Sequence, residues 1–587
     1  MKRQRATILA AVLLASPAAA QNYRNVAPPA PEPSAPPRIE VPAAPLPSGG
    51  SERVVVQKLR GIRLLGAASD VVASGVTATG VSSEGVSFGP ELASVLAQYL
   101  DQPASLATLR AIEARIIALY RTEGYPFVNV VLPPQDVAAG SVQFVVQEYR
   151  LDRIDVRGNE YFSSAQIRDG VRVAPGDRID LNAVTADLGW LNENPFRQVD
   201  MLASPGSADG TTDLNLVVHD RLPLDVSVGY DNSGNALTGF DHWKFGLLAG
   251  DMFGQGILLG YQFTGSDDFF NATHVFPGPT GGPRFVAHAI SWTIPLSSHD
   301  AIRIFGDYER VAPNLPAAFA NIGHSGEASI RYDLRLPTAG TAVQQISFGY
   351  DYKTSDNNIA FGGSSIYASN PEIDQFPIIY SVTIPDRYGV TTISPRIVLS
   401  PGGLTGGNTN AAYQPGVTQD GIAHARADYV YGRLDASRET GLPEGFTWVS
   451  RLTAQLSSTN LLPSEQLSVG GMDTVRGYPS YVIGASEGVI MGQEVRAPAF
   501  ALLSRVPGVG FTDSFQPDVF WDYAHIFDVL PNVVNPRAID LSSLGIGGHY
   551  MMDKGFDLTV QGGLQLHPLP GHSGTGSFIN LALMMTL

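Results

Sequence analysis

One cation stands alone in a glycine-rich stretch: Arg476, within Gly470-Gly471-Met472-Asp473-Thr474-Val475-Arg476-Gly477-Tyr478-Pro479. A guanidinium is charged at any ordinary pH and presents its donors in a planar fork, so its natural task is to grip a carboxylate. Two readings compete for Val475, Arg476, Gly477 and Tyr478. Gly-Gly and Tyr-Pro punctuate surface turns, where a lone Arg is simply solvated. The other reading is a loop folded inward, its Arg anchored to a carboxylate on a wall. Four residues do not decide between them.

Catalytic chemistry finds less support. Gly323-His324-Ser325-Gly326 and Gly571-His572-Ser573-Gly574 begin like nucleophile elbows, but Glu327 and Thr575 stand where the closing glycine is needed. Neither follows a strand–turn–helix pattern. No Gly-Lys dipeptide exists to build a P-loop. The 11 histidines are scattered, with no His-Glu-x-x-His, and zero cysteines exclude thiolate ligands, disulfides and cysteine nucleophiles. The expectation is no enzyme, no cofactor and no metal.

The elements that would position Arg476 follow from composition. Charged residues make up only 16% of 587, against about 25% in soluble proteins. Glycine is abundant at 62, with 22 Tyr and 26 Phe, yet no run of 18 apolar residues follows the N-terminus. That combination points to a β-rich protein and admits a membrane barrel. A net charge of −17 argues against nucleic acid as a partner. Met1-Lys2-Arg3-Gln4-Arg5, the apolar run Ala6 to Ala15 and Ala18-Ala19-Ala20 read as a secretory signal peptide over 1–20. Export of a β-rich chain places it in the outer envelope of a two-membrane bacterium.

Residues 21–53 are proline-rich and read as a passive tether. From Val54 the pattern is mixed. Leu106, Leu109, Ile112, Ile116, Ile117 and Tyr120 recur at helical spacing and stop at Gly124, before strands near 127–132 and 142–148. A second cycle opens with the strand Leu151–Val156. Ser163 or Ser164 can cap one helix and Asp180 opens another to about Asn192, before strands near 199–203 and 212–218. After Arg221 period-two alternation takes over, as in Leu224, Val226, Val228 and Tyr230. Sixteen strand candidates are spread from 222 to 587, an even number ending in a strand at the C-terminus. In lipid an open sheet edge leaves amides unpaired, so the first strand must close on the last. Ile579, Leu581, Leu583, Met585 and Leu587 form one face of that closing strand.

Four groups of residues now combine. They are Tyr120-Arg121-Thr122-Glu123-Gly124-Tyr125 with Leu132-Pro133-Pro134-Gln135; Val156-Arg157-Gly158-Asn159 with Leu191-Asn192-Glu193-Asn194-Pro195-Phe196-Arg197; Tyr230-Asp231-Asn232-Ser233-Gly234; and Val475-Arg476-Gly477-Tyr478 with Phe520-Trp521-Asp522. In this order the chain resembles the two-partner secretion transporters (TpsB class), haemolysin- and haemagglutinin-exporting barrels with polypeptide-transport-associated (POTRA) domains. The resemblance covers about residue 54 to the end. It departs in Ala524, where the wall motif usually has glycine, and in Leu587, where the last residue is usually aromatic. Some members carry an N-terminal plug helix, against which the prolines here argue.

The resemblance implies α+β periplasmic POTRA domains at 54–149 and 150–220, then an all-β 16-stranded transmembrane β-barrel at 221–587 with an inward-folded loop near 458–486. It implies Val475, Arg476, Gly477 and Tyr478 as the pore-loop signature and Phe520 and Asp522 as its barrel-wall partners, Asp522 on the thirteenth strand. The expected partners are a large secreted exoprotein, outer-membrane lipid and the barrel-assembly machinery, with the chain a monomer. Two alternatives stay open: an insertase of the same superfamily, and a passive porin.

Overall fold

The computed structural model describes residues 26–28, 35–42, 46–235, 239–272, 282–312, 319–321, 323–356, 359–361, 364–367, 370–414, 424–506, 510–530, 538–553 and 555–587. The signal peptide, 1–20, lies outside these, as do residues 21–25, 29–34 and 43–45 of the proline-rich stretch on which a plug helix would fall. The chain divides into two compact units, one of residues 31–222, the other of Pro223–Leu587 with the first thirty residues.

The first unit holds two small sheets, each covered by helices. Strand β1 (Ile39–Glu40) belongs to the second sheet. The first sheet is built from β2 (Gly61–Leu65), β3 (Gly80–Glu84), β4 (Val128–Val131) and β5 (Ser141–Glu148) in the order β3-β2-β5-β4. Helices α1 (Gly89–Leu96) and α2 (Leu106–Thr122) cover it. Helix α2 starts where Ser105 and Thr108 exchange side-chain and backbone hydrogen bonds in a capping box. Its apolar stripe, Leu109, Ile112, Ile116, Ile117 and Tyr120, packs on Ile62, Leu64, Val142, Phe144 and Val146. Gly124, at φ +89°, lets the chain turn out of the helix.

The second sheet contains β6 (Arg150–Arg157), β7 (Arg197–Pro205) and β8 (Thr211–Asp220), with α3 (Ser164–Asp169) and α4 (Leu181–Leu191). Ser163 and Asp180 cap these helices, each side chain accepting backbone N–H groups. The sheet order is β1-β7-β8-β6, so the proline-rich stretch is not a free tether throughout. Arg38-Ile39-Glu40-Val41 is a proline-free window whose amides can join a ladder. Ile39 and Glu40 pair in parallel with Met201 and Leu202, and the Asp200 carboxylate accepts the Arg38 amide at 2.9 Å.

A polar knot ties the two sheets' domains together. The Tyr120 hydroxyl and the Ser87 amide donate to Glu148 at 2.6 and 2.9 Å, and Arg178 reaches the same carboxylate at 3.5 Å while lying 5.0 Å above the Tyr125 ring. Gly124 accepts the amide of Leu181 at 2.8 Å. The Tyr120–Tyr125 motif thus marks the joint between the domains.

The second unit is a closed antiparallel barrel of sixteen strands. They are β9 (Leu224–Asp231), β10 (His242–Met252), β11 (Ile257–Ser266), β12 (Phe285–Pro295), β13 (Asp300–Val311), β14 (Gly323–Ala339), β15 (Ala342–Asp356) and β16 (Glu372–Asp386), then β17 (Gly389–Pro401), β18 (Asp428–Gly441), β19 (Thr447–Ser457), β20 (Glu487–Arg496), β21 (Asp513–Phe527), β22 (Ile539–Met552), β23 (Phe556–Gln565) and β24 (Ser577–Thr586). Each candidate strand read from the alternation has its counterpart here. Outward positions are apolar, as with Ile330 and Tyr332 on β14, while Ser329, Arg331 and Asp333 between them are buried inside. Barrel closure pairs β9 with β24 from Ser227–Thr586 to Asp231–Ala582. Asn232 extends that seam, donating to the Ile579 carbonyl at 2.6 Å and accepting from the Leu581 amide at 2.8 Å. On the inner side, Val26 is buried against Phe285, Ala287, Ala289 and Val311, and Gln262 donates to its carbonyl at 3.0 Å.

Candidate functional site

The connection from β19 to β20, residues 458–486, turns into the barrel. Its limbs pair as a short ribbon, Leu467–Val469 against Ile483–Ala485. The ribbon carries Leu467, Val469 and Ala485 onto an apolar patch of wall that includes Ile490, Ala524, Ile526 and Leu541. Burying those side chains against the lumen wall is what favours the inward course over a solvated turn. Gly470 and Gly471, at φ +107° and +92°, then reverse the chain. Thr474 pins that reversal, its hydroxyl accepting the Gly470 amide at 2.9 Å and donating to the Gly470 carbonyl at 3.0 Å.

The reversal delivers Arg476 to the wall, 2% exposed. Its Nε and Nη2 each donate to the Asp522 carboxylate at 2.8 Å, in a two-pronged grip, and its backbone amide adds a third bond at 3.0 Å. Asp522 lies on β21, the thirteenth barrel strand. The remaining nitrogen, Nη1, donates to Glu494 on β20. Below the guanidinium lies Phe520, its ring centroid 3.7 Å from Cζ. One cation is thus held by two carboxylates in its plane and an aromatic face beneath it. Both carboxylates are as buried as the Arg, and Glu494 also takes Nε of Arg496 at 2.6 Å and Nη2 of Arg451 at 3.3 Å.

The neighbours of Arg476 complete the anchor. Val475 belongs to the apolar patch. The Tyr478 hydroxyl shares its one proton between the carbonyls of Ser542 and His567, at 3.0 and 2.6 Å. Gly477 has φ +96° and presses backbone to backbone on Gly563: a Cβ on Gly477 would lie 2.9 Å from the Gly563 carbonyl carbon. Gln565 donates to the Gly477 carbonyl at 2.8 Å. All six residues named from the sequence meet in one place.

Glu494 was not among them. In the sequence it is one polar residue in the alternating run Gly492-Gln493-Glu494-Val495-Arg496. The usable signal is register: Glu494 stands opposite Phe520 and Gly492 opposite Asp522, so the two acids occupy neighbouring inward positions on paired strands. Among the described residues no group of three or more His, Cys, Asp or Glu is placed to hold a metal ion. The contacts of Arg476 fasten the loop to the inner wall of the barrel.

Known proteins share this architecture. A family profile described as haemolysin secretion/activation protein ShlB/FhaC/HecB matches residues 210–527, and one for the ShlB-type POTRA domain matches residues 76–148. The outer membrane transporter CdiB of Dickeya dadantii (strain 3937) is 22% identical over 415 residues, 70% of each chain. The heme/hemopexin transporter protein HuxB of Haemophilus influenzae (strain ATCC 51907 / DSM 11121 / KW20 / Rd) is 27% identical over 167 residues, 27% of this chain and 28% of that one. Among solved structures, CdiB from Escherichia coli superposes with a TM-score of 0.74 at 16% identity, covering 93% of this chain and 94% of the other. CdiB from Acinetobacter baumannii gives 0.68 at 15%, covering 100% and 98%.

Proposed function

The chain belongs to the haemolysin secretion/activation protein family (ShlB/FhaC/HecB), and from that premise we propose that it exports one large partner protein through its barrel. It is an outer-membrane transporter with its POTRA region in the periplasm. The observation that carries the further reading is the loop fastened inside the lumen by Arg476, Asp522 and Glu494. A barrel meant for passive diffusion has no use for a bolt made of three buried charges. A conduit for a polypeptide needs one, because a lumen wide enough for an extended chain leaks solutes unless it is closed at rest.

In this reading the cargo arrives unfolded, with free backbone amides and carbonyls. The sheets of residues 54–220 accept it by strand addition, β3 and β4 being edge strands of the first sheet. One edge of the second sheet is already occupied by Ile39–Glu40, so the remaining edge, β6, is the one open to a new strand. The loop is the lid; its release opens the path, and folding of the cargo outside draws the chain through. Neither lid nor wall supplies energy, which fits a chain with no nucleotide site in its sequence.

The test is depletion of this chain from its host. The expected result is loss of one large protein from the medium, restored by the wild-type chain. A simultaneous fall in many outer-membrane barrels would instead mark an assembly factor, and an unchanged medium would refute export.

A further inference from the structure

Arg476 is not the loop's only charged attachment. Where the outbound limb leaves β19, Leu461 and Leu462 sink into an apolar cluster with Ile373, Val398, Tyr429 and Tyr431. That burial sets down Glu465 in a pocket of donors. Its Oε1 lies 2.9 Å from Nζ of Lys353 on β15; its Oε2 accepts the Tyr431 hydroxyl at 2.8 Å and Nε2 of Gln375 at 3.1 Å. Gln375 is held in turn by the Tyr429 hydroxyl at 2.7 Å. Lys353 has a second carboxylate, Glu327, at 3.2 Å. Both members of the Glu465–Lys353 pair have almost no contact with solvent, their side chains 2% and 10% exposed.

The two attachments are on different parts of the wall. Asp522 is on the thirteenth barrel strand and Lys353 on the seventh, six strands away round the barrel. We propose that Lys353 is a positioning residue that fastens the root of the lid through Glu465, so that opening requires release at two places. The inference rests on the reading of this loop as the lid. A loop held at its tip alone would swing about its root. Held at both, it braces the lumen, and neither bond alone sets the closed state. Gln455 stiffens the root, donating to the carbonyls of Glu465 and Ser486, at 2.9 and 3.0 Å, and so clasping both limbs.

The charges predict an asymmetry. Removing Lys353 leaves two buried carboxylates, Glu465 and Glu327, with hydrogen-bond donors but without their cation, whereas neutralising Glu465 leaves Lys353 with Glu327. Single-channel conductance of the purified full-length protein in planar bilayers reads the lid directly, with heat-modifiable gel migration as the check on folding. K353M is expected to raise the open fraction about tenfold or more, and E465Q by less. K353M/E465Q falls below K353M, because the second change removes an orphan that the first created. R476A in the same assay separates the two ideas. If R476A opens the channel and K353M leaves it as closed as the wild type, the root tether is refuted and the lid stands. If neither opens it, the lid reading fails and the tether with it. Should K353M not fold, E465Q decides alone: a channel no more open than the wild type overturns the proposal.

Discussion

Replacing Arg476 tests the anchor through an imbalance in its partners. Three N–H groups of Arg476 reach the Asp522 carboxylate, two of them from the guanidinium. Arg476→Ala leaves Asp522 buried with one backbone donor. Glu494 is spared, because Arg496 and Arg451 still reach it. Orphaning one buried charge costs about 3–5 kcal/mol. Asp522→Ala is milder, since Arg476 keeps Glu494 and the Phe520 face; the loss is that of charge-assisted hydrogen bonds, about 1.5–3 kcal/mol. The double variant costs less than the sum, by a coupling of about 1–3 kcal/mol. Arg476→Lys recovers little, because an ammonium cannot meet Asp522 with two parallel bonds and Glu494 with a third. The assay is exported partner per unit of folded barrel, alongside resistance of the barrel to urea. Strictly additive losses would refute the pairing of Arg476 with Asp522, and equal effects of Arg476→Ala and Asp522→Ala would refute the compensation by Glu494 and Phe520.

Three further outcomes follow from other contacts. Gly477→Ala is expected to dislodge the lid: positive φ alone costs a side chain about 1–2 kcal/mol, and the new Cβ meets Gly563 backbone; channel conductance should rise, and Gly563→Ala should reproduce it. Burial pushes the Glu148 carboxyl up, but the Tyr120 hydroxyl, Ser87 and Arg178 outweigh it and hold the group below the ordinary carboxyl value. A depressed pKa means that stability is present above the unfolded value and lost as pH falls through the folded one. Glu148→Gln should therefore lower the melting temperature of the 31–222 unit at pH 7, with the difference from wild type closing in acid. Deleting 54–149 is expected to abolish binding of an N-terminal cargo fragment while the barrel still inserts, as read by pull-down and heat-modifiable migration.

The barrel was readable in the chain because its physics is repetitive. Lipid outside and water inside impose period two, and strands such as Leu224–Asp231 or Phe556–Gln565 show it plainly. Arg476 and Asp522 were readable for the opposite reason: each sits in a short string of unusual composition. Glu494 and Glu465 carry no such mark. They are ordinary acids in an ordinary strand and turn, and only the register and the path of the loop bring them to Arg476 and Lys353. Helix α1 carries a weak start signal, because its N-cap position is Phe88, in the left-handed region, in place of a Ser, Thr, Asp or Asn. Strand β1 was hidden by the prolines on either side of it; two residues pair, too few to leave a pattern.

The most direct test of export through the barrel is to catch the passenger inside it. Thr453 on β19 faces the lumen, where it donates to Asp435 at 2.9 Å, whereas Leu456 on the same strand faces outward and is 68% exposed. A photo-crosslinking residue at each position, irradiated while cells secrete, gives a matched pair of probes. The account predicts an adduct between position 453 and the exported protein, and none from position 456. Secretion that continues with no adduct at 453, or with equal adducts at both positions, would contradict it.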